Sequence, residues 1–105
     1  MKTNLKELKA RELVPGFHGK MIHTERMTLA YWDIEKDSKL EEHHHPQEQV
    51  INILEGEFEI KVNGVSFHLV KGDVLPIQGN VPHSGRAITD CKILDVFTPV
   101  RDDYL

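Results

Sequence analysis

Short strand-like segments separated by turn residues constrain the fold of this chain more than any other feature. Glu57–Val62 alternates strictly between polar and apolar residues, and Asn63-Gly64 joins it to a second β-rich segment, Val65–Val70. Asn-Gly between two such segments is a strong hairpin signal. Further β-rich segments lie at residues 27–34, 50–54, 74–75, 83–89 and 92–98. Because short strands recur without any long helical pattern, the sequence predicts an all-β sandwich or barrel.

The N-terminal segment has a different pattern. Leu5 and Leu8 lie three residues apart among charged residues, and Leu13 follows five residues later. This spacing predicts a short helical turn laid on the domain, which Pro15-Gly16 would end. No repeat or linker interrupts the 105 residues, so we expect one domain over 1–105.

Charge and composition exclude several classes of partner. Lys plus Arg total 13 and Asp plus Glu total 17, a formal charge of −4 at pH 7. Nucleic acids and anionic membranes favour a basic surface, so neither is the expected partner. No apolar stretch approaches the roughly 20 residues that span a bilayer, and the charged start does not resemble a signal peptide. The single cysteine, Cys91, cannot form an internal disulfide, so we expect a soluble protein of the reducing cytoplasm.

The histidines form the main candidate site. Three of the seven are consecutive, at His43, His44 and His45. On an extended strand the first and third share a face, so His43 and His45 would form a two-ligand clamp for a metal while His44 points away. Gln49, at the head of the next strand, and His83, after a turn-rich loop, could face the same cavity. The alternative is that the consecutive histidines are only a solvated turn, but such a turn gives no reason for a further histidine after that loop.

The last predicted strand leaves one question open. Asp95 and Phe97 share a face, and a carboxylate inside an apolar barrel is unfavourable unless it is paired, beside a metal or catalytic. In the alternative register Asp95 faces solvent and Val96 lies in the core. Because apolar residues lie on both faces of this strand, the periodicity does not show which register is adopted. Arg101 is likewise either a surface charge or a group that binds a substrate carboxylate at the barrel mouth.

These segments resemble the two sequence motifs of the cupin superfamily. His43 and His45 match the His-x-His of the first motif, and Gly56 matches its closing glycine. The stretch from Gly72 to His83 resembles the second motif, which ends on the last histidine ligand. The resemblance covers about residues 20 to 101 and implies a cupin double-stranded β-helix, a jelly-roll barrel with a short helical or extended N-terminal segment.

The resemblance also implies a metal centre. His43, His45, Gln49 and His83 would hold one divalent transition metal, and Zn, Ni, Fe or Mn would all suit imidazole and amide ligands. Gln49 stands where the family usually has a glutamate. Because all four ligands are then neutral, the metal keeps its full charge and is a stronger Lewis acid toward an anionic substrate.

Three stretches narrow the resemblance to the KdgF group of small cupins. They are His-x-His-Pro-x-Glu-Gln from His43, Val-Pro-His-Ser from Val81, and Asp-Val-Phe-x-Pro-x-Arg from Asp95. The group opens 4,5-unsaturated uronate monosaccharides to linear ketones in pectin and alginate breakdown. The resemblance implies that Asp95 is catalytic and that Phe97 and Arg101 bind the sugar acid.

Two other functions remain open at this stage. The same ligands could serve a three-histidine iron dioxygenase, or the domain could be a non-catalytic module that binds a metal or a sugar. We also expect a homodimer that pairs through the region from Leu5 to Met21, because a small barrel leaves strand edges that need covering.

Overall fold

The computed structural model describes residues 1–105 and contains ten β-strands with a short 3₁₀ helix near each end. The helices span Leu5–Glu7 and Asp102–Tyr104, and neither is long enough to cross a membrane. The strands in chain order are β1 Arg11–Val14, β2 Phe17–His23, β3 Thr28–Ile34, β4 Lys39–His43, β5 Glu48–Glu55, β6 Glu57–Val62, β7 Val65–Val70, β8 Val74–Ile77, β9 His83–Ala87 and β10 Cys91–Thr98.

The strands form two antiparallel sheets around one apolar core. The six-stranded sheet has the order β1-β2-β3-β10-β5-β8, and the four-stranded sheet has the order β4-β9-β6-β7. Neighbouring strands are therefore often distant in sequence, as in a jelly roll. This architecture confirms the predicted all-β fold.

The central hairpin forms at the predicted position. Strands β6 and β7 pair from Glu57↔Val70 to Val62↔Val65. Both turn residues have positive φ, 48° at Asn63 and 82° at Gly64. A two-residue turn of this kind needs positive φ at both positions, which Asn and Gly tolerate best.

The core lies between the two sheets. Strand β10 shows how it is built, because buried and less buried residues alternate along it and Asp95 and Phe97 are on the buried face. The register with Asp95 facing inward is therefore the one adopted. The buried apolar residues are Phe17, Ala30, Trp32, Ile34, Ile51, Ile53, Phe58, Ile60, Leu69, Ile77, Ala87, Cys91, Ile93 and Phe97.

The N-terminal prediction is only partly correct. A helical turn forms, but it ends at Glu7, and Leu13 belongs to β1 rather than to a helix. Pro15-Gly16 turns the chain from β1 into β2, and these two strands were not predicted. Backbone pairing outweighs the weak local helical pattern, since β1 pairs with β2, which in turn pairs with β3 along its whole length.

Candidate metal centre and its cavity

Three histidines converge where β4 ends and β9 begins. His43 and His83 are direct partners across the two strands, and their ring centroids lie 4.3 Å apart. The His45 ring lies 5.8 Å from that of His43 and 5.1 Å from that of His83. One ring nitrogen from each residue lies within 4.8 Å of the others, so a single ion could contact all three.

The backbone sets the tautomer of each ring. The Nδ1 atom lies 2.9 Å from the Glu41 carbonyl oxygen in His43, 3.1 Å from that of Gln47 in His45, and 2.9 Å from that of Val81 in His83. A carbonyl oxygen only accepts hydrogen bonds, so each Nδ1 carries the proton and donates it. Each Nε2 is left with a free lone pair, which is the arrangement typical of metal-binding histidines.

Three atoms at the centre show that a cation fits there. Nε2 of His83 is buried and has no hydrogen-bond partner. Nε2 of His45 lies 3.1 Å from Oε1 of Gln49. With Nδ1 protonated, both of these last atoms are acceptors, and nothing in the chain supplies a proton between them. A cation would satisfy all three atoms, and imidazole nitrogen with amide oxygen is a donor set that divalent transition metals accept.

The strand argument placed His43 and His45 on one face, and the structure brings their rings together. Strand β4 ends at His43, with an irregular register between Leu40 and His43. His45 lies beyond the strand, but the side chains still alternate, with His43 half-buried and His45 buried. His44 between them is exposed.

The other histidines have local partners, as expected. His18 pairs with Glu35 at 2.9 Å, and His23 lies 2.8 Å from Thr28 Oγ1. His68 lies 4.0 Å from Glu57. None of the three reaches the cluster of His43, His45 and His83.

Burial favours the neutral form of two histidines of the cluster, His45 and His83. It lowers the pKa of His45 to about 4, helped by the positive charge of Arg101 and by His83. Burial is also the main reason that the pKa of His83 is lowered. Neutral imidazole is the form that binds a metal, so burial favours the metal-binding form of both side chains.

Asp95 is the one carboxyl group inside the barrel. Burial raises its pKa to about 6, although the nearby Gln49 amide and Trp32 indole favour the ionised form. Trp32 Nε1 donates a hydrogen bond to Oδ2 at 3.0 Å. Oδ1 is buried and has no partner. The carboxyl therefore has one oxygen fixed and one oxygen free for a ligand.

Phe97 and Arg101 also lie at this end of the barrel. Phe97 is 1% exposed, and its ring meets the His45 ring edge-on with centroids 5.5 Å apart. The Arg101 guanidinium lies over Phe97 at 4.8 Å and over Tyr104 at 4.1 Å. It is buried, which rules out the surface-charge interpretation.

Asp103 modifies the predicted role of Arg101. It accepts from Nε at 3.0 Å and from Nη2 at 2.6 Å, so it holds the guanidinium by two bonds. The fork expected to bind a substrate carboxylate is thus occupied by the chain's own carboxylate. Only Nη1 makes no hydrogen bond within this pair.

One cavity joins these groups. Its empty volume is about 610 Å³, part of which is open to solvent at the mouth. Two residues that line it were not predicted from the sequence. Trp32 has the pattern of an ordinary core residue of a strand, and the short helix that contains Tyr104 has no recognisable sequence pattern. The predicted site residues that line the cavity are His43, Gln49, His83, Asp95, Phe97 and Arg101.

Comparison with known proteins identifies the class. Residues 30–97 match the cupin domain family. This segment is more than half of the chain, and the chain belongs to the cupin family.

Two solved structures are similar over almost the whole chain. KdgF from Halomonas sp. has a TM-score of 0.90 and 25% sequence identity, covering 95% of this chain and 94% of that one. An RmlC-like cupin from Shewanella frigidimarina NCIMB 400 has a TM-score of 0.93 and 24% identity, covering 98% and 94%. The predicted resemblance to cupins and to KdgF is confirmed.

A curated relative is similar over a shorter segment. The HTH-type transcriptional regulator PuuR of Escherichia coli K12 is 35% identical over 57 residues. The match covers 52% of this chain and 31% of the regulator, so the chain spans about a third of the length of that relative.

Proposed function

We propose that the protein opens the ring of 4,5-unsaturated uronate monosaccharides, in a metal-dependent isomerisation to linear ketones like that implied by the KdgF resemblance. One observation carries the proposal: a buried carboxyl with a free oxygen, Asp95, lines the same cavity as His43 and His83 of the histidine cluster. Burying a carboxyl group lowers the stability of the fold, so such a group is expected where it has a function, such as proton transfer beside a metal. The similarity to KdgF over nearly the whole of both chains supports this activity.

The reaction needs a group that moves one proton. The substrate is a cyclic hemiacetal whose ring oxygen is part of an enol ether. Removing the proton on O1 forms the C1 carbonyl and breaks the bond from C1 to the ring oxygen. The electron pair passes through the enolate to C4, which takes up the proton, and C5 becomes a ketone. The reaction is redox-neutral, with one proton transferred from O1 to C4.

Asp95 suits this transfer. With a pKa of about 6 it is mostly ionised at pH 7 and still basic enough to take and return a proton. A divalent metal held by His43, His45, Gln49 and His83 would supply Lewis-acid stabilisation of the negative charge that develops on oxygen. Phe97 closes the apolar side of the cavity against water.

Arg101 is proposed to bind the substrate carboxylate. Its guanidinium lines the cavity and is fixed over two aromatic rings, so little freedom is lost when it binds a ligand. With Nε and Nη2 held by Asp103, the substrate carboxylate meets Nη1 first. A two-point contact requires Asp103 to give way.

The test is direct. The protein, loaded in turn with Zn, Ni, Fe or Mn, is incubated with monomeric unsaturated uronates made by polysaccharide lyases, and loss of their ultraviolet absorbance is followed. We expect faster loss than with Asp95→Asn or with EDTA-treated protein, and no oxygen consumption. Oxygen uptake with the iron form would favour the dioxygenase instead.

A binding module is the second candidate. The segment shared with PuuR occurs in a transcriptional regulator, so closely related sequences are not confined to enzymes. A protein that binds metal stoichiometrically but turns over no unsaturated uronate would favour this function.

We further propose that two copies of the chain pair through the region from Leu5 to Met21. Strand β1 lies at the edge of the six-stranded sheet, so its outer backbone groups lack a strand partner within the chain. Light scattering at micromolar concentration should give the mass of a dimer, and a monomer would contradict this.

A further inference from the structure

The indole of Trp32 connects the core of the barrel to the site carboxyl. Trp32 lies on β3, and its Nε1–H donates to Asp95 Oδ2 on the neighbouring strand β10 at 3.0 Å. Both side chains are buried. A buried hydrogen bond to an ionised carboxylate is stronger than one between neutral groups, so it can hold the carboxyl in one orientation.

The indole itself is held firmly. The rings of Phe17 and Tyr104 meet it edge-on, each with centroids 6.1 Å apart and an interplanar angle of 81°. Gly19 on β2 lies beneath it, and a Cβ there would be 2.7 Å from Cζ3 and 2.9 Å from Cε3 of Trp32. Any side chain at Gly19 would therefore push the indole out of place.

The two oxygens of Asp95 consequently differ. Oδ2 accepts the indole proton, whereas Oδ1 is buried without a partner in a residue that lines the cavity. A carboxyl with both oxygens free could turn about its Cβ–Cγ bond. Fixing one oxygen fixes the plane of the group and hence the direction in which the other presents its lone pairs.

We propose that Trp32 is a positioning residue for proton transfer: by holding Oδ2, it makes Oδ1 the oxygen that takes the proton from the substrate and returns it. This inference rests on the proposed ring-opening function. Trp32 acts through Asp95 and does not itself exchange a proton with the substrate.

Trp32→Phe tests the role because it keeps an aromatic ring and removes the donor. We expect kcat to fall by up to about 100-fold, the size that misplacement of a reacting group produces, with KM changed less than about threefold. In an Asp95→Asn background the same substitution should cause no further loss of kcat, since the carboxyl it orients is already gone. Ile53→Ala is the control: it loosens the core on β5 away from the cavity and should lower stability while leaving kcat nearly unchanged.

A second readout does not depend on activity. The chain has one tryptophan, so a ¹H–¹⁵N spectrum shows a single indole resonance. We expect this resonance to lie downfield in the wild type and to move upfield in Asp95→Asn, where a neutral amide replaces the carboxylate acceptor. Identical positions in the two proteins would overturn the proposal, even if Trp32→Phe failed to fold.

The outcomes separate the two proposals. An active wild type with a fully active Trp32→Phe protein would overturn the role of Trp32 and leave ring opening intact. A further loss of kcat in the double variant equal to that in the single one would also overturn it. A wild type inert on every unsaturated uronate would overturn the proposed function and this role with it.

Discussion

The two halves of strand β10 face the same interior but carry different kinds of side chain. The inward side chains of Cys91 and Ile93 pack in the apolar core, and Ile93 also forms part of the apolar lining of the cavity. Two residues further on, Asp95 and then Phe97 face the same cavity, which His43 and His83 also line. One continuous strand thus joins an apolar end to a site end. Its pairing with β3 continues without a register shift from Cys91 to Phe97, whereas its pairing with β5 shifts between Lys92 and Ile93.

The two ends also differ in their effect on stability. Each fully buried aliphatic side chain at the apolar end contributes about 1.5–3 kcal/mol. At the site end, the pKa of Asp95 rises from 3.8 to about 6 through burial. That shift corresponds to about 3 kcal/mol of destabilisation at neutral pH. The apolar end therefore contributes to the stability of the fold, whereas the buried carboxyl at the site end reduces it.

The largest expected difference between the ends is in catalysis. Asp95→Asn should keep the fold and the metal content but lower turnover by about 10²–10⁴-fold, the usual contribution of positioned proton transfer. Steady-state kinetics with parallel metal analysis measure this. Full ring-opening activity in the variant would remove Asp95 from the mechanism. Gln49→Glu, which keeps a metal ligand, should lower turnover by less.

The apolar end should respond in the opposite way. Ile53→Ala removes a buried side chain beside Ile93 and should lower the free energy of unfolding by about 2–5 kcal/mol. Urea unfolding measures the loss, and kcat at a temperature where the variant is folded should change little. A loss of kcat as large as that of Asp95→Asn would mean that the two ends do not act separately.

Asp95→Asn should also be more stable than the wild type, by an amount that depends on pH. The carboxyl has a pKa of about 6 in the folded state and 3.8 as its ordinary value, so the folded state binds the proton more tightly. Its contribution to stability is therefore least favourable above pH 6 and vanishes well below pH 4. In metal-free protein, Asp95→Asn should gain up to about 3 kcal/mol at pH 8 and little at pH 4.

Urea unfolding of EDTA-treated proteins at several pH values measures this difference. His45 and His83 titrate in both proteins, so their effects cancel in the comparison. A stability difference between the two proteins that does not vary with pH would show that burial does not raise the pKa of Asp95.

The smallest effect should come from the mouth of the site end. Arg101→Ala loses a charged hydrogen bond to the substrate carboxylate and should raise KM by about 10–100-fold with a smaller change in kcat. Asp103→Asn is the matched variant, because it keeps the guanidinium and weakens its internal partner; its KM should not rise. A rise in KM with Asp103→Asn would mean that the pair, rather than a free guanidinium, binds the ligand.

The sequence predicted the fold better than the site, for physical reasons. The alternation of β6 and the Asn63-Gly64 turn are local, so the hairpin could be placed without knowledge of its neighbours. Strand β1 depends on pairing with β2 and β2 on pairing with β3, which no local pattern reveals. The orientation of Asp95 was undecided because Leu94 and Val96 are as apolar as the residues on its own face.

Specific side-chain contacts could not be predicted from the sequence. The alternation placed His43 and His45 together, but it could not show that His83 is the direct partner of His43 across β4 and β9. Nothing local shows that Asp103 occupies the Arg101 fork, or that Trp32 reaches Asp95 across 63 residues. The candidate metal ligands could be named from spacing and resemblance, but the tautomers of the three histidines required their carbonyl partners.

The most direct test of the central claim is the fate of the proton at C4. Ring opening in D₂O places deuterium at C4, because O1 carries an exchangeable proton, and early-time NMR of the linear product reads which position is labelled. If Asp95, held by Trp32, delivers the proton from one side, the wild type will label one of the two C4 positions. Equal labelling of both at the earliest times, or no conversion with any of the four metals, would contradict the account.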